Sequence, residues 1–126
     1  MIEAKQVIIM RTDLDMPLGK MIAQGAHASE GAFIKQKSNI KIITVELFDI
    51  ISSWNKLGKT KIVVEINSEE KLLNLVKKAE DLGINTYVVT DNAKTHFDKP
   101  TITCACLGVD SKEKLDKVTK RLRLLK

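Results

Sequence analysis

Two β-branched apolar runs, INTYVVT at residues 84–90 and TITCACL at residues 101–107, are separated only by the polar segment DNAKTHFDKP. Parallel neighbours in a sheet need a crossover of a dozen or more residues, usually a helix, and no helix fits in that segment. The two strands therefore cannot be joined as a parallel pair, and a mixed sheet follows. The other strand-like runs are KQVIIMR at 5–11 and TKIVVEI at 60–66, both rich in β-branched residues and bounded by turn or helix-start signals.

The segments between these runs carry helical periodicity. From Gly19 to about Lys35, Gly25, Ala28 and Ala32 recur at helical spacing, giving a face thin enough for the helix axis to lie close to a sheet. Residues 35–41 are polar and read as a connection. Leu47, Ile50, Ile51, Trp54 and Leu57 form the stripe of a second helix, with Thr44 as N-cap and Gly58 at the C′ position. The IKII run at 40–43 either begins that helix or makes a strand of its own. Asn67 and Ser68 followed by Glu69 and Glu70 start a third helix, whose stripe is Leu72, Leu75, Val76, Ala79 and Leu82 and which Gly83 ends. Asp110 with Glu113 makes a capping-box-like start for a last helix, with Leu115, Val118, Leu122 and Leu125 at helical spacing. The order is β-α-α-β-α-β-β-α. Four strands and four one-sided helices predict a three-layer α/β/α sandwich with a four-stranded mixed sheet. A chain of 126 residues has material for one core, so residues 1–126 are expected to form a single domain.

The formal charge of +5 favours a polyanionic partner without specifying which one. With only five aromatic residues, a surface of repeated base stacking is hard to assemble, so contacts to nucleic acid would go mainly to phosphate. The N-terminal apolar stretch is short and cut by Arg11 and Asp13, and no run of about 18 apolar residues follows, which predicts a cytoplasmic protein without a membrane span. KVTKRLRLLK at the C-terminus is basic and amphipathic, as a membrane-surface helix would be, but its leucines are spaced to close the core. Cys104 and Cys106 lie two apart in an apolar run and read as buried core thiols. With only His27 and His96 besides, a metal site is poorly supplied, and no cofactor is expected.

Lys20, Gln24 and His27 stand at i, i+4 and i+7, a polar line on an otherwise small and apolar helix. Lys20 lies in the first turn, where the helix dipole already presents partial positive charge and a lysine is locally unfavourable. An anion there would relieve both, and the amides of the helix start together with an ammonium suit a phosphate or the oxyanion of an acyl-transfer intermediate. The alternative is a solvated lysine at a frayed turn and a half-buried histidine, and spacing alone does not decide between them.

The string RTDLDMPLGKMIAQGAHA, residues 11–28, resembles the N-terminal signature of the type-two peptidyl-tRNA hydrolases, the archaeal and eukaryotic kind: R-T-D-L, then G-K-x-x-A-Q-x-x-H-A without a gap. WNKLGKTKIVVEI, DNAKT and TIT resemble later parts of the same family, and the resemblance covers nearly the whole chain, weakest at 36–50. It implies hydrolysis of the ester between a peptide, or an N-blocked aminoacyl group, and tRNA. It also implies that Lys20 is the essential lysine, Asp91 its acidic partner, and Thr95 and Thr101 catalytic hydrogen-bond partners, with Gln24 and His27 on the substrate side. tRNA is the implied partner and a homodimer the implied assembly. Taken alone, Asp91 would read as an Asx-turn or capping residue. The chain departs from the family where Ala93 and Pro100 stand in place of glycines, and where Gly25 and Ala26 replace a cysteine and a small residue. If residue 93 takes φ > 0, alanine there costs about 1 kcal/mol. Pro100 fixes φ and removes an N–H just before Thr101. These changes motivate an alternative, a non-catalytic tRNA- or protein-binding module on the same fold.

Overall fold

The computed structural model describes residues 2–39, 44–93 and 96–126. Its elements are β1 (Ala4–Arg11), α1 (Leu18–Ser38), α2 (Val45–Lys56), β2 (Lys61–Ile66), α3 (Glu69–Asp81), β3 (Thr86–Asp91), β4 (Thr101–Ser111) and α4 (Lys112–Thr119). The order is the one read from the sequence; the IKII run at 40–43 lies outside the described residues.

The strands stand side by side as β2-β1-β4-β3. β1 and β2 are parallel, with Gln6 opposite Lys61 and Arg11 opposite Ile66. β4 runs antiparallel to both β1 and β3. The sheet is mixed because the segment between β3 and β4 is too short for a crossover, so the chain doubles back.

Alternation along the strands builds a core on each face. Val7 and Ile9 of β1 with Ala105 and Leu107 of β4 pack under Leu72, Val76 and Ala79 of α3 and Leu115 and Val118 of α4. Ile8 and Met10 with Cys104, Cys106 and Val89 meet Ala28 and Ala32 of α1. Ile50 and Trp54 of α2 close on Val109 and, at its edge, Phe33. The result is three layers. Burial pushes the Cys104 thiol up to about 11 and raises that of Cys106 further, so both are inert packing groups of the α1 face.

Caps fall where side-chain oxygens can reach an early amide. Thr44 Oγ1 accepts from the Leu47 amide at 3.1 Å and Ser68 Oγ from the Lys71 amide at 3.1 Å. Leu82, placed in the α3 stripe by spacing, sits past the helix end and is exposed. The last helix differs from expectation at both ends. Its cap is Ser111, whose Oγ accepts from Lys114, while Asp110 receives the Ser111 amide and pairs with Lys114. It stops at Thr119, and Leu122 and Leu125 belong to a tail that lies along the outer side of β2: Glu65 donates to the Arg123 carbonyl at 2.9 Å and Leu125 to the Val63 carbonyl at 3.0 Å. An edge strand offers a row of open backbone groups, and pairing with it outweighs another helical turn. KVTKRLRLLK is therefore not a continuous amphipathic helix, and among the described residues no helix is long and apolar enough to cross a membrane.

α1 lies close to the sheet because its inner face is nearly devoid of side-chain bulk. Ala28 and Ala32 are wholly buried, and a Cβ built on Gly31 would stand 2.3 Å from Cε2 of Tyr87. Polar side chains tie the two layers. Ser29 Oγ donates to Gln6 Oε1 at 2.6 Å. Gln36 donates to the Val109 carbonyl at 2.8 Å and accepts from the Val109 amide at 2.9 Å. Gln36 thus serves a buried stretch of β4 as a neighbouring strand would. Replacing it with leucine removes both of these hydrogen bonds from Val109, and a loss of about 2 to 4 kcal/mol is expected in chemical denaturation; a loss below 1 kcal/mol would show that water takes over both bonds.

Candidate active site

Lys20 is the third residue of α1. Pro17 supplies no capping side chain, and the first helical bond runs from the Met21 amide to the Pro17 carbonyl at 3.1 Å. The amides before it point out of the helix end, where partial positive charge collects. A Cβ built on Gly19 meets nothing within 4 Å, so the space over this turn is open to a ligand.

Asp91 ends β3, facing the same helix. Its Oδ2 accepts from the Lys20 ammonium and from Gln24 Nε2, the latter at 3.2 Å, and its Oδ1 accepts from the Ala93 amide at 2.8 Å. The side chains of Lys20 and Asp91 are 20% and 10% exposed, so the pair sits in a partly closed cleft. The hydrogen bond from Lys20, then that from the Ala93 amide, hold the Asp91 carboxyl below the usual carboxylate range against the opposing effect of burial. Asp91 thus makes an Asx turn with one oxygen and an ion pair with the other.

A cleft of about 610 Å³ opens beside this pair between α1 and β3. Lys20, Gln24 and His27 line it from the helix, with Gln24 buried and His27 exposed; Val89, Thr90 and Asp91 line it from β3, and Asn92 from just beyond the strand. Thr101 stands opposite Asp91 in the ladder, but its hydroxyl donates to the Lys99 carbonyl at 2.8 Å and it does not line the cleft. Thr95 lies outside the described residues.

Two features were not singled out from the sequence. Arg11, buried at the end of β1, donates to both oxygens of Asp13 at 3.0 and 2.7 Å and to the Ile102 carbonyl at 2.9 Å. This fork ties the β1–α1 turn to the start of β4, and so sets where α1 begins. Its signal was in the Arg-x-Asp spacing of the first motif. The second is Tyr87, which lines the far part of the cleft.

Residues 4–125 match the family described as peptidyl-tRNA hydrolase PTH2. The chain belongs to this family. It is 40% identical over 121 residues to the peptidyl-tRNA hydrolase of Methanothermobacter thermautotrophicus, covering 96% of this chain and 99% of that one. It is 43% identical over 120 residues to that of Nanoarchaeum equitans, covering 95% and 97%. It is 38% identical over 122 residues to the probable peptidyl-tRNA hydrolase 2 of Dictyostelium discoideum, covering 97% of this chain and 55% of that one. The relatives are thus archaeal and eukaryotic, and the two archaeal ones are matched almost from end to end.

Within this family the chain's alanine at 93 has a measurable cost. Ala93 has φ +65°, in the left-handed region that favours glycine. Ala93→Gly is expected to stabilise the protein by about 1 kcal/mol with the Asp91 contact unchanged; a neutral or destabilising result in thermal unfolding would show that the loop takes another path. The pH dependence has a definite sign. Because the folded-state pKa of Asp91 is depressed, the stability it contributes is fully present above the ordinary aspartate value of 3.8 and is lost as pH falls through the lower, folded value. The stability deficit of Asp91→Asn relative to the parent should therefore narrow as pH falls from the ordinary value of 3.8 toward the lower folded value, and a deficit that shrinks instead between pH 7 and pH 5 would contradict the depressed pKa.

Proposed function

We propose that this chain hydrolyses the ester linking a peptide, or an N-blocked aminoacyl group, to tRNA, using the cleft between α1 and β3. Membership of the family supports the reaction, and the observation that carries the site is the Lys20 ammonium held on Asp91 at the open end of α1.

In this reading the ester carbonyl lies over the first turn of α1. Water adds to the carbonyl carbon, and the negative charge that develops on its oxygen is stabilised by Lys20 and by the outward-pointing amides of the turn. The tetrahedral intermediate then collapses, the bond to the ribose oxygen breaks, and that oxygen takes up a proton, leaving a free tRNA hydroxyl and a peptide carboxylate. Asp91 is ionised at neutral pH with both oxygens engaged, so it is a weak base and an acceptor only. Its role is to aim Lys20 and Gln24, not to relay the proton. Thr95 and Thr101 are the proposed hydrogen-bond partners for the substrate or the attacking water, which requires the Thr101 hydroxyl to leave the Lys99 carbonyl. His27 and Gln24 contact the substrate's polar groups. An ester is easier to hydrolyse than an amide, and the scheme uses no metal and no covalent nucleophile.

The same proposal includes one domain spanning residues 1–126, tRNA as the partner, a cytoplasmic site of action and, from the family resemblance, a homodimer. The alternative, a non-catalytic binding module, rested on Ala93 and Pro100. The left-handed backbone at Ala93 speaks against it at that position, because the alanine accepts a glycine-like conformation and still donates its amide to Asp91.

Lys20→Ala and Asp91→Asn are each expected to lower kcat on N-acetyl-aminoacyl-tRNA by about 100-fold or more, the range seen on losing one oxyanion donor, while tRNA binding persists. Near-parent turnover in both variants would remove these two residues from the mechanism. Tight tRNA binding by the parent protein with no turnover at saturation would favour the binding module.

A further inference from the structure

The cleft extends well beyond the Lys20–Asp91 pair. Tyr87, Val89 and Asp91 alternate onto the same side of β3, and all three line it. Four residues of strand place Tyr87 about 13 Å from Asp91. That is farther than a terminal ribose and its base extend from an ester held at Lys20, and within reach of the nucleotide before them.

Tyr87 is held there for a structural reason. The Cδ2–Cε2–Cζ edge of its ring lies where a side chain on Gly31 would stand, with a virtual Cβ 2.3 to 2.6 Å from those atoms. Only glycine at 31 lets the ring settle against α1, and 37% of the residue stays exposed. Among the described residues it is the only phenylalanine, tyrosine or tryptophan lining the cleft. Lys35 lines the same end; its ammonium donates to the Thr86 carbonyl at 2.6 Å. A neutral partner leaves that positive charge for an incoming phosphate. Glu30, also in this stretch, can accept from the exocyclic amine of a cytosine or adenine.

From a fixed, half-exposed ring, a flanking cation and a carboxylate acceptor we infer that Tyr87 is the stacking platform for a base of the single-stranded 3′ end of tRNA, with the adjoining phosphate near Lys35. A single aromatic in an otherwise phosphate-reading surface agrees with the scarcity of aromatics in the chain. Tyr87 is thus a specificity residue for the nucleic-acid part of the substrate, as distinct from the acyl part. The inference rests on the reading of the Lys20 end as the ester site.

Two substrates carrying the same N-acetyl-aminoacyl group separate the possibilities: the full tRNA ester and the ester of adenosine alone. Tyr87→Leu is expected to raise KM for the tRNA ester about tenfold or more, the effect of losing one base–aromatic stack, with kcat/KM on the adenosine ester unchanged. Tyr87→Phe should behave as the parent on both. Unaltered cleavage of the adenosine ester also reports that the leucine variant is folded. An equal loss on both substrates would overturn the inference, by assigning Tyr87 to the acyl group or to stability, and so would no loss on either. Binding keeps this separate from the hydrolysis proposal. Uncharged tRNA should bind the parent more tightly than the same tRNA lacking its last two nucleotides, and Tyr87→Leu should abolish the difference. A parent that turns over neither ester but shows that difference would refute hydrolysis and retain the stacking site; no difference in the parent would refute the stacking site.

Discussion

The closeness of α1 to the sheet is the constraint on which the site depends. A helix normally stands off a sheet by the thickness of its side chains. Here Ala28 and Ala32 are buried against β4, and Gly31 receives the edge of Tyr87 in place of a side chain of its own. Hydrogen bonds fix the separation along the helix: Gln36 to Val109 near its end, Ser29 with Gln6 in the middle, and Lys20 with Gln24 on Asp91 at its start. A larger residue at 28 or 32 would have to push the helix outward, because packed interiors absorb little extra volume. The reach of one lysine would then no longer span the gap to β3.

That geometry bears on the role proposed for the Lys20–Asp91 pair. An ion pair with partial solvent access contributes little to stability, because the Coulombic gain is screened and two side chains lose freedom. Two hydrogen bonds beyond the ion pair are nonetheless committed to holding Asp91 in place. Such investment in orientation is what a preorganised electrostatic site requires, since a charge aimed beforehand needs no reorganisation when the transition state forms. The Arg11–Asp13 fork does the corresponding work for the backbone, locating the turn from which α1 departs.

Much of this was legible in the sequence, and the gaps have physical causes. The mixed sheet followed from a segment too short and too polar for a helix, and the Thr44 and Ser68 caps from hydroxyls just ahead of apolar periodicity. The end of α4 was misplaced because Leu115, Val118, Leu122 and Leu125 keep helical spacing across the point where the chain becomes extended. Spacing alone cannot register that an open edge on β2 competes for the same residues. Asp91 as the partner of Lys20 came from family resemblance, since no local pattern joins residues 71 apart in the chain. Tyr87 was overlooked because strand alternation predicts its direction but not the vacancy at Gly31 that receives it. The Thr101 hydroxyl faces Lys99, a rotamer choice that strand position does not determine.

Ala93 shows how a residue in a glycine-favouring conformation can leave the neighbouring ion pair in place. Glycine is favoured where φ is positive because a Cβ crowds the neighbouring carbonyl, at a cost on the order of 1 to 2 kcal/mol. Alanine has the smallest side chain that incurs this cost, and here it is opposed by the hydrogen bond from its own amide to Asp91 Oδ1 at 2.8 Å, which closes the turn. The same bond helps keep Asp91 ionised, so the contact that holds the strained residue also sustains the charge that orients Lys20. The expense of alanine here therefore falls on stability, not on where the carboxylate points: with residue 93 at φ +65° the carboxylate remains on Lys20.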